Sequence, residues 1–201
     1  MNNLFTIGYS TYGLNSMLDI LKKNEIQALV DVRSNPFSKY KPEFNADNIK
    51  KSLITNKMLY VYLGKELGAR SLNDQCYIDN RADYTKISQT PEFNHGLNRI
   101  IKGLAKFNIV LLCAEQDPLK CHRNILVCRN LKNQVKNINH ILKDGIIETN
   151  SNAEDRLLRE YGLIEDDFFT IPEERLKSAY DKRSLEIAYK KNDRFTGEEH
   201  D

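Results

Sequence analysis

Two periods alternate along this chain. Residues 4–10, 27–33, 59–63, 109–113 and 137–142 are short apolar runs that stop abruptly at polar side chains, the pattern of buried strands. Between them apolar positions recur at steps of three and four: Leu14, Met17, Leu18 and Leu21; Phe93, Leu97, Ile100, Ile101 and Leu104; Cys121, Ile125, Cys128 and Leu131. Each such set falls on one side of a helix. Residues 45–56 read as a capped helix, and Asp117-Pro118 as an N-cap with proline at the first helical position, opening a helix that runs to about Asn133. Two more helical patterns, 153–161 and 172–191, follow the turn signal Asp144-Gly145. Strands alternating with helices predict βαβ units, hence an α/β fold: a mostly parallel sheet flanked by helices, with a helical C-terminal extension. The predicted division is an α/β domain over 1–148 and an extension over 149–201 packed on it. Residues 64–90 have no clear period, and an unpatterned stretch of that length inside a compact domain reads as a functional lid or insertion.

Composition sharpens this picture in three places. A chain of 201 residues with 40% hydrophobic content can bury a real core. No apolar run approaches a membrane-spanning length, and the first residues enter a strand pattern without a charged and then apolar leader, so the expectation is a cytoplasmic protein with no membrane partner. Four cysteines, at 76, 113, 121 and 128, are then read as reduced thiols. The net charge of +2 hides an asymmetry: residues 144–201 hold 16 Asp and Glu against 9 Lys and Arg, and the preceding part 12 against 21. From Pro118 to Lys143 there is no acid, only Lys120, Arg123, Arg129, Lys132, Lys136 and Lys143. That is either a positive field suited to an anionic small molecule or nucleic acid, or a solvated helix face.

Several blocks together resemble a known family. They are Thr6-Ile7-Gly8-Tyr9-Ser10; Leu29-Val30-Asp31-Val32-Arg33 with Asn35-Pro36; Tyr62-Leu63-Gly64-Lys65-Glu66-Leu67-Gly68; Leu112-Cys113-Ala114-Glu115 with Asp117-Pro118 and Cys121-His122-Arg123; and His140-Ile141 with Asp144-Gly145. This combination is similar to the signature of the domain of unknown function 488 family, and Ala179-Tyr180-Asp181-Lys182-Arg183 with Ile187-Ala188-Tyr189 resembles its longer members. The resemblance implies no established activity.

The chemistry is therefore read from the residues. In a parallel sheet the strand ends share one rim, which would bring together Tyr9 and Ser10, Asp31 and Arg33, Lys65, and Cys113 with Glu115. Arg33, Lys65, Arg70 and Arg123 are cations able to clamp phosphate or carboxylate, with structural ion pairs as the plain alternative. Asp31 and Glu115 are the expected acid and base of an enzyme, a hydrolase or lyase, that processes a nucleotide, nucleic acid or other phosphorylated substrate, with Arg33 and Arg123 as anchors. One alternative is a non-catalytic nucleotide or nucleic-acid binder; another is an interaction module whose acidic tail docks a partner. A third is a cysteine enzyme of rhodanese-like or phosphatase-like type built on Cys113, although Asp117 and Pro118 interrupt the loop that would wrap an oxyanion. Cys121 and Cys128 are expected to be core thiols, and Gly8 to serve a turn or a close backbone approach to a ligand. Cys113, Cys121, His122 and His140 are metal-ligand types, but Cys-x7-Cys-His lacks the short spacing of structural zinc sites, so neither metal nor other cofactor is expected. His95 and His200 read as incidental.

Overall fold

In the computed structural model residues 3–164 and 171–191 are described; His200, the last acidic residues and part of the predicted extension lie outside them. The chain forms β1 (Leu4–Gly8), α1 (Leu14–Lys23), β2 (Ala28–Asp31), α2 (Ala46–Thr55), β3 (Leu59–Tyr62), α3 (Gly64–Leu67), β4 (Tyr77–Ile78), β5 (Arg81–Ala82), α4 (Tyr84–Ser88), α5 (Pro91–Leu104) and β6 (Ile109–Cys113). After a widely wound π-helical stretch, Arg123–Cys128, come α6 (Arg129–Leu131), β7 (Ile138–Ile141), β8 (Ile147–Thr149), α7 (Asn150–Glu160) and α8 (Pro172–Ile187). The large sheet has strand order β3-β2-β6-β1-β7-β8 and is parallel except for β8. This is the α/β architecture expected from the alternating periods.

Side chains of a strand point alternately to opposite faces, and here the alternation sorts the core into two layers. Phe5, Ile7, Leu29, Val110 and Leu112 meet Met17, Leu18 and Leu21 of α1 and Ile49 and Leu53 of α2. Leu4, Val30, Ile109 and Leu111 meet Phe93, Leu97, Ile100 and Leu104 of α5, and Ile125, Cys128 and Leu131. The second face also carries Thr6, Cys113 and His140, all buried, with Thr6 beside His140 in the β1–β7 register. Polar groups on the strands thus lie under the segment holding Cys121, His122 and Arg123.

Three expectations change. The helix expected from Pro118 is a single tight turn, Pro118–Lys120, capped by the Asp117 carboxylate accepting from the Leu119 N–H at 3.0 Å. It breaks at Cys121, whose backbone is extended at φ −137° and ψ 137°, before the π-helical stretch starts. Residues 64–90 are structured rather than a loop: α3, the tight turn Asp74–Cys76, the β4–β5 hairpin and α4 bury Leu67, Cys76, Ala82, Tyr84 and Ile87 in the core. Beyond Asp144 and Gly145, both at positive φ, the chain first adds the antiparallel edge strand β8 and only then turns into α7.

Gly8 lets the chain's own backbone approach closely. Its would-be Cβ lies 1.7 Å from the Glu115 carbonyl oxygen, because β1 and the loop after β6 run on as a ladder in which Tyr9 N–H donates to Cys113 O at 3.1 Å and Ser10 N–H to Ala114 O at 3.0 Å. Gly8→Ala is expected to push this loop off β1, at a cost of about 1–3 kcal/mol as for other overpacking changes, read from the urea unfolding midpoint.

Candidate functional site

Beyond the carboxyl ends of β1, β2 and β6 lies a cleft of about 340 Å³. Tyr9, Arg33, Ser34, Cys113, Glu115 and His122 form its inner wall; Arg70, Tyr84, Lys120, Ile187 and Tyr189 close it from the insertion, the Pro118 turn and the end of α8. A larger cavity of about 500 Å³ lies between the β4–β5 hairpin, α4 and α8, and shares Tyr84 with the cleft but none of the thiol, imidazole or guanidinium groups on its inner wall.

Asp31 and Arg33, two positions apart, form a closed unit. Fully buried Asp31 accepts from Arg33 Nε at 2.8 Å and Nη2 at 2.6 Å, from the Arg33 N–H at 3.1 Å and from Tyr60 Oη at 2.9 Å. Arg33 Nη2 also donates to Phe44 O at 2.9 Å, and the guanidinium lies 5.1 Å over the Tyr9 ring, itself stacked on Phe44. Burial disfavours the charge on Arg33, and the hydrogen bonds and charge of Asp31 more than restore it, raising its pKa. Its Nη1 is buried with no partner among the described residues. Asp31 is not on the cleft wall, so Glu115 and Asp31 do not face one another across it.

Arg123 also lies inside. Wholly buried, it donates from Nε to Thr6 Oγ1 at 3.2 Å, from Nη1 to Glu115 O and from Nη2 to Gln116 O at 2.8 Å, so it fastens the loop to β1 instead of lining the cleft. Lys65 lines a separate cavity near Glu66 and Ser71; Ser10 is exposed and off the cleft wall. The basic run is partly neutralised by the acidic part of the chain: Arg129 pairs with Asp181 at 2.8 Å and Lys132 with Glu154 at 2.9 Å, leaving Lys120 as its contribution to the cleft.

Within the inner wall four groups converge. Cys113 Sγ and Cys121 Sγ both lie within hydrogen-bond reach of Glu115 Oε2, at 3.1 and 3.0 Å. His122 Nδ1 is 3.6 Å from Cys113 Sγ, and its Nε2 donates to Val32 O at 3.0 Å. Burial, then the neighbouring Cys121, pushes the Glu115 carboxyl up. The two thiols titrate as a pair: the hydrogen bond with Cys121 and burial hold Cys113 well above its ordinary value. Burial opposes a Cys121 thiolate, but the Cys113 hydrogen bond and the charges of Arg123 and His122 win and bring it well below. At Cys128 burial outweighs the charge of Arg123 and pushes the thiol up to about 12. Cys113, Glu115, Cys121 and His122 each offer a ligand atom, all within 4.8 Å of one another.

The family described as Domain of unknown function DUF488 matches residues 13–129. The chain belongs to the DUF488 family. That span takes in β2, the insertion, β6 and the whole Cys113–Arg123 segment, so most of this DUF488 site lies inside the matched region. No curated protein and no solved structure matches the chain. Among the described residues of this DUF488 protein no helix is long and apolar enough to cross a membrane.

Sequence reasoning missed Tyr84, Ile187 and Tyr189 as cleft residues, and favoured a core role for Cys121. The adjacent pair Cys121-His122 was a usable signal for the cluster; the side chains from the insertion and from α8 carried none.

Proposed function

We propose that this DUF488 protein is an enzyme, a hydrolase or lyase, acting in the cleft on a small phosphorylated substrate such as a nucleotide or nucleic-acid fragment. The observation that carries the reading is Arg33: a guanidinium on the cleft wall, oriented by Asp31, Phe44 and Tyr9, with one buried donor atom left over. Such a donor suits an anionic oxygen, and its fixed orientation lowers the ordering cost of binding. Arg70, 4.5 Å over the Tyr189 ring, and Lys120 add positive charge at the mouth. Glu115 is the acid-base group: its carboxyl lies on the cleft wall, where it can give a proton to a bound substrate or take one from it. Asp31 acts as a positioning residue through Arg33.

The test is turnover of a panel of nucleoside phosphates and short oligonucleotides. Glu115→Gln is expected to lower kcat by about 10²–10⁴, the usual range for removing an acid-base group, with the unfolding midpoint and binding of the same compounds retained. Arg70→Ala and Lys120→Ala are expected to raise KM with little change in kcat. Equal loss of stability and activity in Glu115→Gln would make that residue structural. Salt-sensitive oligonucleotide binding with no product would favour the binder reading instead.

A further inference from the structure

We infer that Cys113, Cys121, His122 and Glu115 form a binding centre for one zinc ion, held by the two thiolates and the imidazole, with the Glu115 carboxylate at the fourth, exchangeable position. Four ligand arms of about 2.0–2.3 Å in a tetrahedron place donor atoms roughly 3.3–3.8 Å apart. Three contacts here, 3.0 and 3.1 Å from Glu115 Oε2 to the sulfurs and 3.6 Å from sulfur to Nδ1, lie close to that range, and the whole set falls within 4.8 Å. Two sulfurs, one nitrogen and one oxygen select zinc over magnesium or calcium, which prefer oxygen alone.

The second observation concerns His122. A carbonyl oxygen only accepts, so the contact with Val32 O fixes a proton on Nε2 and turns Nδ1 toward the sulfurs, where a metal ion would take the place of any proton it carries. Metal-bound histidines are commonly oriented in this way by a carbonyl on the far nitrogen. Charge also closes: a divalent ion with two thiolates is neutral, and the Glu115 carboxylate is matched by Arg123, whose guanidinium donates to the Glu115 carbonyl behind the cluster. The break at Cys121 serves the same end, since its extended backbone lets adjacent Cys121 and His122 reach one point.

Uptake of zinc releases to solvent the protons still held by the two sulfurs and by Nδ1, and no electrons move. Because Cys113, Glu115 and His122 line the cleft, the fourth position is open to it, the arrangement of catalytic rather than structural zinc. That role rests on the proposed reading of the cleft; the binding itself does not.

The binding test therefore uses no substrate. The full chain, purified from zinc-supplemented cells, is expected to carry about one zinc per chain by mass spectrometric metal analysis. After chelation, cobalt(II) should restore one equivalent with thiolate-to-metal charge transfer in the near ultraviolet and the visible bands of a tetrahedral ion. Cys113→Ser with Cys121→Ser, or His122→Ala, should abolish both signals; Cys76→Ser should change neither, and Glu115→Gln should keep the charge-transfer band. Should a variant not fold, the cobalt spectrum of the wild-type chain alone decides. Metal well below one equivalent, or cobalt bound without the thiolate band, overturns the inference, whatever the turnover assay gives.

Discussion

Arg123→Met is expected to lower the unfolding free energy by about 3–5 kcal/mol, the range for removing one partner from a buried charged network. Methionine fills much of the volume but offers no donor, so the carbonyls of Glu115 and Gln116 lose the guanidinium and Thr6 Oγ1 keeps only His140. Each buried acceptor left without a donor costs about 1–3 kcal/mol. Arg123→Lys keeps the charge but not the fork that reaches two carbonyls and a hydroxyl at once, and should lie between. Urea unfolding at unchanged m-value measures both. A loss below about 1 kcal/mol would mean that water takes over these carbonyls, and the loop would not depend on the guanidinium.

Acid should unfold this protein through His140. In the fold the imidazole sits between Thr6 Oγ1, 2.9 Å from Nδ1, and Asn150 Oδ1, 3.2 Å from Nε2. Burial, followed by the charge of nearby Arg123, lowers its pKa from 6.5 to about 3. The unfolded chain binds the extra proton between those two values, so stability is complete above about pH 6.5 and falls with pH toward about 3. At up to about 1.4 kcal/mol per pH unit this one group accounts for roughly 2 kcal/mol between pH 6.5 and pH 4.5. His140→Gln, which keeps a polar group in the slot, should flatten the wild-type curve over that interval while leaving the curve above pH 7 parallel. Parallel curves throughout would show that His140 keeps its proton in the fold.

Much of the fold was legible because burial on both faces writes itself as short apolar runs: each of the five parallel strands lies inside its predicted run. The edge strand β8 was not, since Ile147-Glu148-Thr149 is short, half polar and paired on one side only. The insertion was not, because its buried residues are spread over turns too short for any period. At the site, Glu115, Cys113, Arg33, Arg70 and Tyr9 could be placed on one rim from strand ends alone. Asp31 could not be told from a free carboxylate: residues two apart on an extended chain share a side, and nothing in the letters says that Arg33 folds back onto it. Arg123 was misjudged for a related reason. On an α-helix it leaves the Cys121, Ile125 and Cys128 face; the wider, π-wound stretch is buried all round, Arg123 included, and no one-sided 3.6-residue period can register that.

That wider winding also ties the helix's own stability to the position of the site. Deleting one residue from 123–128 would let ordinary α-winding resume, a locally favourable change, yet it would rotate everything before the deletion by about 100° relative to Cys128 and Leu131. The imidazole and thiol would then swing away from the glutamate they now meet. Selection for a sturdier helix and selection for this arrangement of side chains would therefore act on the same six residues in opposite directions.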